Sequence, residues 1–166
     1  MEIIIYTDGS TLNNQHKGGR RGGIGIYFGE NDIRNKSIPL VETPTNKVTN
    51  QVSELTACIV AIETIVENNF NTDNTICIIT DSKYTIDSIT KWAKKWKTND
   101  WKKSNGNIIE NLELIKKLDS FYNIYNIKFK HVKAHMKEPI KSSILYKDWY
   151  GNMMADKYAC DASKSL

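Results

Sequence analysis

Glu2-Ile-Ile-Ile-Tyr-Thr-Asp8 and Ile76-Cys-Ile-Ile-Thr-Asp81 are two short apolar runs, rich in β-branched residues, and each ends in an aspartate. Such runs predict buried central strands. Open α/β sheets bind ligands at the carboxyl ends of their strands. We therefore expect Asp8 and Asp81 to end adjacent strands and to meet at one edge of a sheet.

The rest of the chain alternates in the same way between strand-like and helix-like patterns. Further strands are predicted at 22–28, 31–40 and 127–132, and helices at 49–68, 82–90, 91–97, 107–121 and 149–163. A polar, basic loop is predicted at 13–21, and Thr49 or Asn50 is suited to cap the helix that follows. In the helix at 107–121, Ile108, Leu112 and Ile115 recur at helical spacing. This order predicts an α/β fold, with a mixed five-stranded sheet flanked by helices.

Composition bounds the class of protein. With 166 residues, we expect one domain spanning 1–166. No apolar run reaches the length of a membrane span, and the first residues lack the features of a signal peptide. Three cysteines in apolar patterns are typical of reduced thiols inside the cell. We thus expect a cytoplasmic or nuclear protein, with no membrane partner and with the monomer as the default state.

Two further acidic residues lie in helix-like contexts. Glu54 follows Thr49-Asn-Gln-Val-Ser, and Asp156 follows Gly151-Asn-Met-Met-Ala. Unpaired carboxylates are costly beside apolar residues, but a divalent cation can neutralise a cluster of them. Mg²⁺ prefers oxygen ligands from carboxylates, waters and substrate phosphates. The four acids therefore indicate metal-assisted phosphoryl chemistry. The alternative is that they only form turns and helix caps, where Asp is common.

Five motifs in one order resemble the ribonuclease H family, type 1. They are Tyr-Thr-Asp-Gly-Ser, Thr-Asn-Gln-x-x-Glu-Leu-x-Ala, Thr-Asp-Ser-x-Tyr, His-Val-Lys-Ala-His and Gly-Asn-x-x-Ala-Asp, and the similarity runs from about residue 2 to 162. The resemblance implies the ribonuclease H-like fold. It also implies an endonuclease that cuts the RNA strand of RNA–DNA hybrids and leaves 5′-phosphate and 3′-hydroxyl ends.

The resemblance also implies the metal site. Asp8, Glu54, Asp81 and Asp156 would hold two Mg²⁺ ions, with Mn²⁺ as a substitute. One ion would activate the attacking water and the other would stabilise the leaving 3′-oxygen. His135 matches a mobile histidine of the family that assists proton transfer or product release. Between His135 and Asp156 there are 20 residues, about twice the usual number, which leaves the role of His135 to be tested.

Two other uses of the histidines are conceivable. His131 and His135 have the spacing of a zinc pair on a helix, but His131 lies in a predicted strand and no further Cys or Glu completes the site. A metal-free ribonuclease could use two histidines on the 2′-hydroxyl. That mechanism would leave the four acids unexplained.

A basic segment at 91–103 holds six lysines and one aspartate, interleaved with tryptophans. It resembles the basic protrusion of cellular type-1 enzymes. We expect Lys94, Lys95 and Lys97 to contact phosphates, and Trp92 and Trp96 to pack on deoxyribose of the DNA strand. The alternative is an amphipathic surface helix whose tryptophans belong to the core. The resemblance assigns further substrate contacts to Gly9, Ser10, Thr49, Asn50, Gln51 and Asn152.

Other functions are compatible with the same fold, which also serves integrases, resolvases and exonucleases. A non-catalytic hybrid-binding module is the main alternative, and it predicts the loss of at least one carboxylate. A ribonuclease H domain cut from a polymerase is another. The four retained acids and the basic segment favour the enzyme.

Overall fold

The computed structural model describes residues 1–12 and 19–165, so most of the predicted loop at 13–21 lies outside the described residues. The strands are β1 (Glu2–Leu12), β2 (Arg21–Tyr27), β3 (Lys36–Val41), β4 (Thr75–Thr80) and β5 (Ile127–His131). The helices are α1 (Asn50–Glu67), α2 (Lys83–Asp87), α3 (Ala93–Thr98), α4 (Leu112–Ile124) and α5 (Tyr146–Lys164).

The five strands form one mixed sheet in the order β3-β2-β1-β4-β5. The pairs β1–β2 and β2–β3 are antiparallel, whereas β1–β4 and β4–β5 are parallel. The last parallel pair of β1 and β4 joins Tyr6 to Ile79. Asp8 and Asp81 lie two residues beyond those partners, at the same edge of the sheet. The predicted fold class is confirmed.

Helix α1 covers one face of the sheet and begins where the sequence indicates. The Thr49 hydroxyl accepts a hydrogen bond from the Val52 N–H at 3.1 Å, which caps the helix. Leu55 and Ile62 are fully buried against the sheet. This packing fixes the first turn of α1, and therefore Glu54, beside β1.

Two strands differ from the prediction. β1 continues past Asp8 to Leu12, because its second half pairs with β2 as a hairpin arm. β3 starts at Lys36 and not at 31. The Asn35 side chain accepts from the Phe28 N–H at 2.7 Å and donates to the Gly29 carbonyl at 2.7 Å, and these bonds close a turn before β3.

The helix predicted at 107–121 begins only at Leu112. Two left-handed residues, Gly106 (φ +82°) and Asn111 (φ +58°), turn the chain before it, and Lys102 pairs with Ile108 in an isolated bridge. Ile108 was expected in the core and is 81% exposed, whereas its neighbour Ile109 is 3% exposed. Local turn formation therefore delays the start of the helix by five residues.

The other helices shift less. The stretches predicted at 82–90 and 91–97 form a continuous helical run, in which a π-helical turn at Ser88–Trp92 joins α2 to α3. Helix α5 begins at Tyr146, three residues before the predicted start at 149. Within the described ranges, no helix is long and apolar enough to cross a membrane.

Helix α5 lies directly on β2, where glycines allow the close approach. A Cβ atom at Gly25 would lie 1.9 Å from the Ala155 carbonyl oxygen, and one at Gly23 would lie 2.2 Å from that of Ala159. No real Cβ contact is this short, and the obstacle is backbone. The contact fixes the distance between α5 and the sheet at Ala155, the residue before Asp156.

We predict that Gly25→Ala lowers the free energy of unfolding by about 1–3 kcal/mol or more, since the added methyl must displace α5. Urea unfolding monitored by circular dichroism would measure the change. Gly29→Ala is the matched control, because nothing lies within 4 Å of a Cβ there. Equal stability of the two variants would contradict the tight contact.

Candidate active site

Three carboxylates from three elements converge at the edge of the sheet. Asp8 lies in β1, Glu54 in the first turns of α1, and Asp81 directly after β4. One oxygen from each lies within 4.8 Å of the others. Asp8 is only 4% exposed. The sequence indicated that strand ends and a helix would meet here, and the structure brings these three acids together.

The protein environment disfavours three negative charges at this position. Burial, followed by repulsion from Glu54 and Asp81, raises the pKa of Asp8 far above that of a free carboxyl group. Burial is also the main reason why the pKa of Glu54 rises to about 7. Burial likewise raises the pKa of Asp81. Without a counter-charge the cluster therefore retains protons that water-exposed carboxylates would release.

The cluster fits a hard divalent cation. Its donors are carboxylate oxygens, the ligand type that Mg²⁺ prefers. The Glu54 Oε2 atom is buried and has no hydrogen-bond partner among the described residues. An orphaned buried acceptor is costly, and a bound cation would satisfy it while offsetting the repulsion.

Asp156 and Asn152 approach the cluster from α5. Asp156 lines the same open cleft, of about 270 Å³, as Asp8, Glu54 and Asp81. It is not part of the tight group of three, and its Oδ1 accepts a weak hydrogen bond from the Cys160 thiol at 3.7 Å. The Asn152 amide donates to Asp81 Oδ2 at 3.4 Å. Helix α5 thus supplies a fourth carboxylate to the cleft and a contact that orients Asp81.

His135 lies at the mouth of this cleft, in the loop between β5 and α5. It is exposed and holds a left-handed backbone conformation, with φ +52°. The extended loop therefore leaves His135 beside the carboxylates. His131 ends strand β5, so the pair lacks the helical geometry that the zinc alternative requires.

The small polar residues expected at the substrate divide into two groups. Ser10 and Asn50 line the cleft, as does Gly9. A Cβ at Gly9 would lie 2.5 Å from the Glu54 nitrogen, so this glycine is needed for the approach of α1 to β1.

Thr49 and Gln51 are already engaged in contacts within the protein. The Thr49 hydroxyl caps α1, and Gln51 Oε1 accepts from the Asn111 amide at 3.4 Å. The same amide donates to the Tyr84 hydroxyl at 3.1 Å. Asn111 is a neighbour of the predicted site that the sequence did not single out. Its left-handed conformation follows from a turn that no periodic pattern reveals.

The tryptophans of the basic segment also divide. Trp96 and Trp101 are partly buried and pack against the main core, as the structural alternative expected. Trp92 is half-buried, with its ring 6.0 Å from that of Tyr84 and 5.8 Å from that of Trp96. Trp92 is therefore the better placed of the two predicted tryptophans to meet a ligand.

The three lysines of this segment that were predicted to contact phosphates differ as well. Lys97 forms an ion pair of 2.6 Å with Asp119, whose side chain is 8% exposed. Lys94 and Lys95 are exposed, and no ion pair within the described ranges engages them. Phosphate contacts are therefore expected mainly from Lys94 and Lys95, because Lys97 neutralises a buried acid.

Comparison with known proteins identifies the family to which the chain belongs. The family model described as RNase H matches residues 1–164. A ribonuclease H of the fission yeast Schizosaccharomyces pombe is 37% identical over 94% of this chain, which spans 51% of that relative. A ribonuclease H of Ruthia magnifica is 36% identical, with 95% of this chain and 92% of the relative covered.

A solved structure agrees with these sequence matches. The crystal structure of LC9-RNase H1, described as a type 1 RNase H with the type 2 active-site motif, is 25% identical with a TM-score of 0.71. The match covers 98% of this chain and 72% of that one. With its motifs, its sheet order and its acidic edge, the chain belongs to the RNase H family.

Proposed function

We propose that this protein hydrolyses the RNA strand of RNA–DNA hybrids as an endonuclease, leaving 5′-phosphate and 3′-hydroxyl ends, and that residues 1–166 act as one catalytic domain. The observation that carries the proposal is the convergence of Asp8, Glu54 and Asp81 within 4.8 Å at one edge of the sheet. The ribonuclease H names of its relatives support the substrate class.

Two Mg²⁺ ions, or Mn²⁺ in their place, would be held by Asp8, Glu54, Asp81 and Asp156. When bound, such ions supply a nucleophilic water at neutral pH and stabilise charge on the phosphoryl and leaving oxygens. The protein contributes the rigid placement of the carboxylates. Asp8 and Asp81 are fixed by the sheet, Glu54 by the capped start of α1, and Asp156 by the packing of α5.

Other residues would position the hybrid and move protons. His135 is close enough to the cleft to accept or deliver a proton as the product leaves. Ser10 and Asn50 present short polar groups beside the carboxylates, where a 2′-hydroxyl distinguishes RNA from DNA. Trp92, Lys94 and Lys95 would receive the DNA strand, away from the acids.

The test is cleavage of an end-labelled RNA–DNA hybrid with and without Mg²⁺, beside single-stranded RNA, duplex RNA and duplex DNA. We expect metal-dependent cutting confined to the RNA of the hybrid. Hybrid binding without cleavage would favour the non-catalytic module. Cutting of duplex DNA would assign the chain to another activity of the same fold.

His135→Ala is expected to slow single-turnover cleavage by about 10²-fold without abolishing it, because general acid–base catalysis contributes on this scale. Single-turnover rates across pH would measure the effect. Ile140→Ala, at an exposed position of the same loop that does not line the cleft, is the control. An unchanged rate in His135→Ala would show that the long loop carries the imidazole away from the reaction.

The double variant Lys94→Ala/Lys95→Ala is expected to weaken hybrid binding. The plot of the logarithm of the binding constant against the logarithm of salt concentration should become less steep, by about 1 for each lysine. Binding titrations at several salt concentrations would measure this slope. Lys117→Ala/Lys128→Ala removes the same charge from residues paired with Glu63 and Glu2. Equal slopes in both variants would show that the basic segment does not meet phosphates.

A further inference from the structure

A second cavity opens beside the catalytic cleft, under the long loop at 132–145. Its volume is about 450 Å³, within the range of sites that hold a small molecule or a nucleotide. Its apolar wall is formed by Met136, Pro139, Leu145, Trp149 and Met153. The proposed mechanism uses none of these side chains.

The loop is attached to α5, so the cavity belongs to the folded structure. The Trp149 indole N–H donates to the Met136 carbonyl at 3.0 Å. The Trp149 ring also packs on Tyr146, with ring centroids 5.5 Å apart. These contacts hold the indole at the cavity wall.

Charged side chains of both signs line the cavity: Lys130 and Lys133, with the aspartates Asp81, Asp148 and Asp156. Residues 130–147 contain five lysines and one glutamate. Lys130 is paired with Asp148, but Lys133, Lys137 and Lys141 are exposed, and no ion pair in the described part of the chain engages them. With Asp148 paired, and with Asp81 and Asp156 neutralised by the proposed cation, Lys133 is left to attract an anionic ligand to the cavity, although much of the wall is apolar.

A tryptophan beside an exposed lysine is a combination that binds single-stranded nucleic acid. Bases stack on aromatic side chains while lysines follow the backbone phosphates. A base inside a duplex cannot enter such a concavity unless it leaves the stack. The cavity is thus suited to an unpaired nucleotide and unsuited to the paired region of a hybrid.

The position of the cavity indicates which strand of the hybrid would enter it. Asp81, His135 and Asp156 line both this cavity and the catalytic cleft. A strand whose phosphate lies at the carboxylates can therefore continue into the cavity without a break. In the proposed reaction, the strand at the carboxylates is the RNA.

We propose that this cavity binds an unpaired nucleotide of the RNA strand next to the cleaved phosphate. The enzyme would then favour hybrids whose RNA leaves the duplex as a single-stranded tail. This inference rests on the proposed function, because it assumes that RNA occupies the catalytic cleft.

The test compares the binding of four labelled ligands to the full chain carrying Asp8→Asn, which prevents cutting during the titration. They are a blunt hybrid, two hybrids with a short RNA tail at one or the other end of the RNA strand, and the same hybrid with a DNA tail. We expect one RNA-tailed hybrid to bind about 10-fold more tightly than the blunt hybrid, on the scale of one stacked base. Equal binding of all four, or an equal gain from the DNA tail, would overturn the proposal.

Neighbouring residues of the loop offer a matched pair of variants. Leu145 lines the cavity and is 61% exposed, whereas Ile144 does not line it and is 93% exposed. Leu145→Asp places a negative charge in the apolar wall and should abolish the preference for the RNA tail. Ile144→Asp makes the same change of charge one residue away and should retain it. Loss in both variants, or in neither, would contradict a site in the cavity.

The failure of the cavity proposal can be distinguished from a failure of the proposed function. If the unmodified protein cuts the blunt hybrid but Asp8→Asn shows no preference for a tail, the cavity proposal fails and the ribonuclease H activity stands. If the unmodified protein neither cuts nor binds any hybrid, the proposed function fails and the cavity proposal fails with it.

Discussion

Asp8→Asn is expected to lower the rate of hybrid cleavage by about 10³-fold or more. Asp8 is the most buried member of the carboxylate group, and Asn lacks the negative charge needed to hold a cation there. Losing several kcal/mol of transition-state stabilisation corresponds to a rate loss of this size. Single-turnover cleavage at saturating hybrid and fixed Mg²⁺ would measure it.

Hybrid binding should change far less in this variant, because the basic segment lies outside the carboxylate cluster. Asp161→Asn is the matched control. It makes the same change of charge at an exposed position on α5 and should leave the rate close to that of the unmodified protein. Near-normal turnover in Asp8→Asn would remove Asp8 from the metal site. A parallel loss of binding and cleavage would indicate a folding defect.

The second large effect is a dependence of stability on the metal and on pH. In the metal-free protein the raised pKa values of Asp8, Glu54 and Asp81 mean that the native state holds protons that the unfolded chain releases. The free energy of unfolding therefore falls as pH rises above about 4, where unfolded carboxyl groups titrate. For Glu54 the fall continues to its folded pKa of about 7.

Mg²⁺ should reverse this loss, because in the proposed site it would bind the ionised native cluster. A cation present at 100 times its dissociation constant stabilises the native state by about 2.7 kcal/mol. Thermal unfolding at pH 8, with Mg²⁺ or with a chelator, would measure the shift. The same pair of scans on Asp8→Asn should show a smaller metal effect and a more stable metal-free protein. A metal effect equal in both proteins would place the cation elsewhere.

Patterns that act locally were sufficient for much of the fold. The apolar runs that end at Asp8 and Asp81 predicted two adjacent parallel strands, and Thr49 predicted the start of α1. In these cases burial, strand propensity and capping all favour one structure. The convergence of Asp8, Glu54 and Asp81 follows from that topology.

Other features depend on contacts that a linear pattern does not contain. Ile108 fits the helical period of its neighbours, yet turns at Gly106 and Asn111 leave it exposed. Trp96 and Lys97 resemble ligand-binding residues, yet the first packs on the core and the second neutralises buried Asp119. The position of Ile108 is decided by local turns, whereas those of Trp96 and Lys97 are decided by partners distant in sequence.

The cavity under the long loop also depends on contacts that could not be predicted from the sequence pattern. Its wall includes Trp149 and Met136, which are joined by a hydrogen bond from the indole N–H to the Met136 carbonyl, and Met136 belongs to no predicted helix or strand. The sequence showed only that the loop is longer than is usual in the family and contains Pro139 and aromatic residues. Its shape follows from where α5 begins.

The close contact of α5 with β2 bears on how the protein is made during translation. Asp8 emerges from the ribosome early, whereas Asp156 and the helix that closes over Gly23 and Gly25 emerge after the other three acids. A nascent chain thus carries three of the acids before it has the helix that completes the cleft. Until α5 packs, the proposed site lacks its fourth carboxylate, so the proposed cleavage of RNA–DNA hybrids would begin only after this helix has folded.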